Sequence, residues 1–287
     1  MSIRSILDGI GQDPRTTRAM AFDRLARDGG LVRRRGPVLF HSTFDDGFDG
    51  WRDHYGAFEP RPPIGLTSYP VMAGKHALKI STGDVPYRAN AISNGSGTYK
   101  NLSQYHGVSG LVSLSAWLCV GSGVDSYAWG NFGLGFDIQK WDNSTRGFFK
   151  ATCVNPSTGE DDRRWVLTND SDSYVTIPNS GDSVGVTSGQ NENKFNFDYV
   201  RLTVDLAAAS GLGGYHELQV NNRVFDLRGL GAGRGAQTPQ AGTPSADYRG
   251  GFNAGLFLAR SGKYPERYPS WLVADEIVCT VDDERAA

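Results

Sequence analysis

The sequence predicts an all-β fold, a β-sandwich in which the two ends of the chain meet. Three observations carry this. Segments alternating at the two-residue period of a strand recur between clusters of Gly, Asn and Ser in a chain of 287 residues with 37 Gly. The final apolar stretch, WLVADEIVCTV, sets Trp271, Val273, Ile277, Cys279 and Val281 on one face, with Asp275 interrupting that same face. The opening strand, VLFHSTF, runs into an acid cluster of Asp45, Asp46 and Asp49. A carboxylate on the buried face of a closing strand needs a partner, so the last strand is expected beside the first, within reach of that cluster.

Residues 1–36 differ from the rest. Asp13 before Pro14 is a cap and first-turn signal, Ala19, Phe22, Leu25 and Ala26 form one stripe, and Gly29–Gly30 stop the pattern. The segment is read as a short amphipathic helical arm. It carries eight Arg and four Asp, and 8 − 4 gives +4 in a chain of net charge −2, leaving −6 for residues 37–287. A basic arm ahead of an acidic body is expected to dock protein partners in an assembly through Arg15, Arg18, Phe22, Leu25, Arg33, Arg34 and Arg35. The alternative is a helix folded back on its own domain.

From residue 37 onward the chain is expected to form one sandwich. GKHALKIST places Leu78 and Ile80 inward. Val112, Leu114, Ala116, Leu118 and Val120 alternate with Ser113, Ser115, Trp117 and Cys119. FGLGFDIQ sets Phe132, Leu134, Phe136 and Ile138 against Gly133, Gly135 and Asp137, and the glycine face leaves room for a ligand or another backbone. GFFKATCV and DRRWVLT follow as strands, and the signal then fades over 170–196. Val200, Leu202, Val204 and Leu206 give the clearest alternation, and YHELQVNNRVFDL reads as a hairpin turning at Asn221–Asn222. A loop over 229–250 precedes FNAGLFLAR and the closing strand.

Several classes are excluded or disfavoured. Net charge gives no nucleic-acid footprint, and no apolar run reaches the length of a membrane span. Arg4 and Asp8 interrupt the N-terminus, so synthesis in the cytoplasm without a signal peptide is expected. Cys119, Cys153 and Cys279 are widely spaced and read as buried small hydrophobes. The chain lacks the paired-histidine zinc and phosphate-loop motifs.

FDDGFDGW after the opening strand, GKHALKI about 25 residues later, YVRLTVDL and the final ADEIV together resemble the concanavalin A-like and laminin-G-like jelly rolls, and are similar to carbohydrate-binding jelly-roll modules of bacterial glycan-degrading proteins. The resemblance covers about residues 37–282. It implies a jelly-roll sandwich and a structural calcium joining Asp45, or Asp46 as its alternate, the backbone near Gly74 and Asp275. Jelly-roll glycosidases of this architecture space carboxylates along one strand, as in E-x-D-x-x-E, and no such run is present, which argues against catalysis.

Sugar recognition needs a ring for the apolar face of a pyranose and polar groups for its hydroxyls. SYAWGNFGLGFDIQKWDN concentrates these around one strand, making Tyr127, Trp129, Asn131, Asp137, Gln139, Trp141 and Asn143 the candidate glycan contacts, with Tyr174 a further ring. The bland alternative is that the two Trp cover a sandwich edge. The expected function is a non-catalytic binding or structural module, a component of a larger particle such as a phage virion that also contacts polysaccharide. The alternatives are a stand-alone lectin-like protein and a glycoside hydrolase or lyase of jelly-roll fold.

Overall fold

The computed structural model describes residues 38–53, 64–82, 95–102, 110–122, 129–140, 144–155, 163–168, 174–181, 195, 197–206, 214–230, 239–244, 251–260 and 270–282. The arm expected over 1–36 lies outside the described residues. The rest forms two antiparallel sheets, with strands numbered in chain order.

Sheet A runs β13 (Arg223–Asp226), β12 (Gly214–Val220), β11 (Asp198–Asp205), β6 (Leu111–Ser122), β16 (Ser270–Asp282), β4 (Ala77–Ser81) and β3 (Gly65–Thr67), with β1 (Val38–Ser42) also paired to β16. Sheet B runs β10 (Tyr174–Thr176), β9 (Arg164–Thr168), β8 (Arg146–Val154), β7 (Trp129–Gln139), β15 (Phe252–Arg260), β5 (Gly95–Asn101) and β2 (Trp51–Asp53), with β14 (Gln240–Gly242) also paired to β8. The first and last strands pair as expected, with Ser42 opposite Ile277 and His41 opposite Val278.

The core lies between the sheets. Sheet A contributes mainly aliphatic side chains, among them Ile80, Leu114, Leu118, Leu202 and Ile277. Sheet B contributes most of the large rings, among them Phe132, Phe136, Phe149, Trp165 and Phe252. Phe136 stacks on Phe252 at 5.3 Å between centroids, and Phe132 meets Trp165 edge-on at 5.8 Å. The three cysteines are buried and form no disulfide.

The single-face reading of the last strand is corrected. Leu272, Ala274, Ile277 and Cys279 all belong to the core, whereas Trp271 and Val273 pack in a separate cluster with Phe195 and Phe197. The phase flips because a bulge falls between Asp275 and Val278, where Glu276 adopts φ 49°. Strict alternation therefore holds on each side of Glu276 and not across it. The β12–β13 hairpin turns at Asn221–Asn222 as expected, and of the two only Asn221 takes positive φ, 53°.

Two strands have an edge shared by two shorter partners. β4 pairs with β16 over 271–274 and β1 with the same edge over 277–280. Likewise β9 pairs with β8 over 151–154, and β14 over 146–148. Each split leaves backbone groups to satisfy, and each is filled by a side chain. In sheet A, the Asp275 carboxylate accepts hydrogen bonds from the amides of Met72 (2.8 Å), Ala73 (3.0 Å) and Glu276 (2.8 Å). In sheet B, the hydroxyl of Tyr215, reaching over from β12, accepts from the Lys150 amide and donates to the Thr168 carbonyl, both at 2.8 Å.

Candidate functional site

Sheet B turns its second face outward over a cleft of about 1030 Å³. Alternation dictates the lining: while Phe132, Leu134 and Phe136 of β7 point to the core, Asn131, Gly135 and Asp137 face the cleft. The same parity turns Arg146, Phe148, Lys150 and Thr152 of β8, Tyr99 and Asn101 of β5, and Asn253, Gly255 and Phe257 of β15 toward the cleft.

Paired positions line up across the strands. One row runs Arg52, Tyr99, Gly255, Gly135, Lys150. The next runs Asn101, Asn253, Asp137, Phe148, Gln240. The first row puts two glycines at the centre of the floor with larger side chains at both ends, a trough across the sheet. The two glycines are there for different reasons. A Cβ at Gly135 would lie 2.0 Å from the Phe149 carbonyl oxygen, so the backbone itself demands glycine, whereas a Cβ at Gly255 meets nothing closer than 3.5 Å and would simply fill the trough.

Polar groups are fixed along one side. Asp137 takes a bidentate pair from Arg146, 2.8 Å from Nε and 2.6 Å from Nη2. The Phe148 ring lies between the Arg146 guanidinium and Lys150 Nζ, each 5.2 Å from its centroid, and Lys150 Nζ also donates to Gln240 Oε1 at 3.4 Å. Asn253 is 9% exposed, and its Oδ1 is buried with no hydrogen-bond partner. An acceptor of that kind is costly to leave unmade and is aimed at a donor the protein does not supply. Tyr174, 60% exposed, stands at the rim.

Of the residues expected to touch a glycan, Asn131 and Asp137 line this cleft. Gln139 does not; it is 2% exposed and its backbone amide bonds to the Gly251 carbonyl, past the end of the lining. Trp129 opens β7 opposite Arg260. Tyr127, Trp141 and Asn143 lie outside the described residues. Sequence reasoning missed β5, β8 and β15 as cleft strands, although the alternation Arg146, Phe148, Lys150 was legible. β5, GSGTYKN, looks like turn chemistry because its cleft face is glycine-rich and its core face carries Ser96 and Thr98.

The acid cluster after β1 and the acids expected to hold calcium, Asp45 or Asp46 with Asp275, have separate partners. Asp49 is bound by Lys100 Nζ at 2.8 Å and by the Ser42 hydroxyl at 2.5 Å; burial raises its pKa, and those two hydrogen bonds outweigh it and hold the group below its ordinary value. Asp46 is exposed. Asp45 Oδ1 accepts from the Lys75 amide at 2.5 Å, and Gly74 packs against the Asp45 carboxylate. Asp45 and Asp275 therefore grip one strap, residues 72–75, by its N–H groups. Calcium requires six to eight oxygens, and amide donors pointed at both carboxylates do not fit it. Among the described residues no cluster of three or more His, Cys, Asp or Glu could hold a metal ion. Burial pushes the Asp275 carboxyl up to about 6, against the pull of its three amides.

No family model and no curated protein matches the chain. Among solved structures it is similar to the cellulose induced protein Cip1, at 14% identity and a TM-score of 0.52, covering 84% of this chain and 97% of that one. It also matches alginate lyase Aly36B, at 13% identity and TM-score 0.44 over 84% and 96% of the two chains. The xylan-binding CBM22-1 domain of Paenibacillus barcinonensis Xyn10C matches at 12% identity and TM-score 0.35, over 88% and 99%. At 14% identity the likeness to Cip1 speaks to architecture alone, and with the two antiparallel sheets it shows the fold to be a jelly-roll β-sandwich of the concanavalin A-like kind.

Proposed function

We propose that this protein is a glycan-binding module and that its sugar site is the cleft of sheet B. The observation that carries the reading is the buried, unpartnered Oδ1 of Asn253 inside a glycine-floored trough flanked by Tyr99, Phe148 and Phe257. Rings supply the surface for a pyranose face, and an acceptor lacking a donor suits a sugar hydroxyl. Catalysis by paired carboxylates is not supported. Asp137 is the one carboxylate among the described lining residues, and it is committed to Arg146, so a second carboxyl for hydrolysis is missing from that set. The particle-component reading rests on the arm, which lies outside the described residues, and nothing in the described sandwich favours it over a stand-alone lectin-like role.

The test is a glycan array followed by calorimetry with Gly255→Val and Tyr99→Ala. Gly255→Val fills the trough without a backbone clash, so it is expected to keep the wild-type melting temperature and lose binding. Unchanged binding in both variants would move the site off this face. A product assay on the same glycans completes the test: release of shortened chains would overturn the non-catalytic reading.

A further inference from the structure

We infer that the cleft grips the end of a glycan: one terminal pyranose lies flat on Gly255, and the chain leaves it on the side away from the sheet. This rests on the reading of the cleft as a sugar site. Two other strand glycines show what such a position is for. A Cβ at Gly121 would come within 2.4 Å of the Trp271 ring, one at Gly133 within 2.6 Å of the tip of the Phe257 ring, and both glycines are buried. Each makes room for a ring of the protein. Gly255 stays part-exposed, and among the described residues a Cβ there meets only the Thr98 and Gly135 carbonyl oxygens within 4 Å, at 3.5 and 4.0 Å. Neither a clash nor a left-handed backbone calls for glycine at that position. Glycine inside a strand weakens it, and one with open space above it marks the close approach of another group. The ring that rests on Gly255 is the ligand's.

The surroundings set which part of a glycan fits. Along β15 the cleft-facing neighbours of Gly255 are Asn253 and Phe257, four residues apart, or about 14 Å between backbones. Across the sheet Tyr99 and Lys150 stand three strand spacings apart, again about 14 Å. The floor is therefore closed along the strands as well as across them. Once these four side chains take their share, one sugar ring fits and a second linked in line does not. An interior unit has neighbours at two opposite edges of its ring and meets a wall at one of them, whereas a terminal unit has one neighbour, which rises out of the cleft. A ring on Gly255 also turns its hydroxyl edge toward Asn253, two residues along the same strand, whose buried Oδ1 accepts. Asn253 thus reads a hydroxyl of the terminal unit.

The test is calorimetry on the full chain with four linear series, the cello-, xylo-, manno- and malto-oligosaccharides of one to six units. At least one series is expected to bind, with a gain of less than about threefold from two units to six. Gly255→Ala should weaken the disaccharide and the hexasaccharide of that series by the same factor, about tenfold. Asn253→Ala should weaken both about tenfold as well, with a melting temperature unchanged or raised, since it removes a buried acceptor that has no partner in the protein. An affinity that climbs about tenfold or more from two units to six overturns end recognition, and loss of that binding in Gly255→Val would leave the sugar site standing. Unchanged binding in Asn253→Ala overturns the hydroxyl contact. Failure of all four series at every length removes the sugar site as well.

Discussion

The two split edges of the sandwich meet the same problem with different chemistry. In sheet A the gap between β4 and β1 along β16 is filled by Asp275, a buried carboxylate holding three amides. In sheet B the gap between β9 and β14 along β8 is filled by the Tyr215 hydroxyl, a neutral group that both accepts and donates. Asp275 answers a gap that presents only N–H donors, from the strap and from the bulge, and a carboxylate has the lone pairs for them. The sheet B gap presents one N–H and one carbonyl, and a hydroxyl matches both without a charge. The lesson is that an interrupted edge selects its plug by the donors and acceptors it leaves, and that the plug then decides whether the edge responds to pH.

The largest expected effect is removal of the charged plug. Asp275→Ala strands three amides and is expected to cost about 4 kcal/mol in urea unfolding. A loss below about 1 kcal/mol would mean that water satisfies the strap. Next comes the pH response. Asp275 titrates at about 6 in the folded chain against 3.8 as its ordinary value, so the folded state binds the proton more tightly. Its contribution is fully present below pH about 4 and is lost as pH rises through about 6, by up to about 3 kcal/mol. Asp275→Asn should flatten that window relative to wild type; parallel stability curves would show the carboxyl unperturbed.

Removing the neutral plug should cost less. Tyr215→Phe leaves the Lys150 amide and the Thr168 carbonyl unpaired, for about 2 kcal/mol. Burial raises the Tyr215 pKa, so this loss is expected to be the same at pH 5 and pH 8. A loss that varied between them would break the contrast with Asp275. Smallest is the effect of chelation. Because the strap is held by amides, EDTA should leave the melting temperature of the wild type unchanged, and a drop absent from Asp275→Ala would restore calcium to that corner.

How far the sequence carried depends on what each face touches. The core faces of β6, β7 and β11 were legible because one face alternates without interruption, as in Val112, Leu114, Ala116, Leu118 and Val120. On β16 the same rule misassigned Trp271 and Val273, because a bulge leaves no composition signal: Glu276 is an ordinary residue held at positive φ by its surroundings. In the cleft, the glycine face of β7 was recognised as open space, and Asn131 and Asp137 were read separately, as polar partners of the rings in the same stretch. Arg52, Tyr99, Lys150 and Asn253 could not be joined to them, since their meeting depends on the strand order β8-β7-β15-β5-β2.

By itself, then, the sequence determined the all-β class, the inward faces of β6, β7 and β11 and the pairing of first with last, because the first two rest on local period-two burial and the third on a carboxylate placed mid-strand in the last apolar run. Only the tertiary structure decided that Asp275 serves the 72–75 strap, that Tyr215 crosses from one sheet to the other, and that five strands scattered over two hundred residues pool their outward side chains into one glycine-floored trough. Those outcomes depend on which strands become neighbours, and neighbour choice is fixed by the packing of the whole core, not by any one segment.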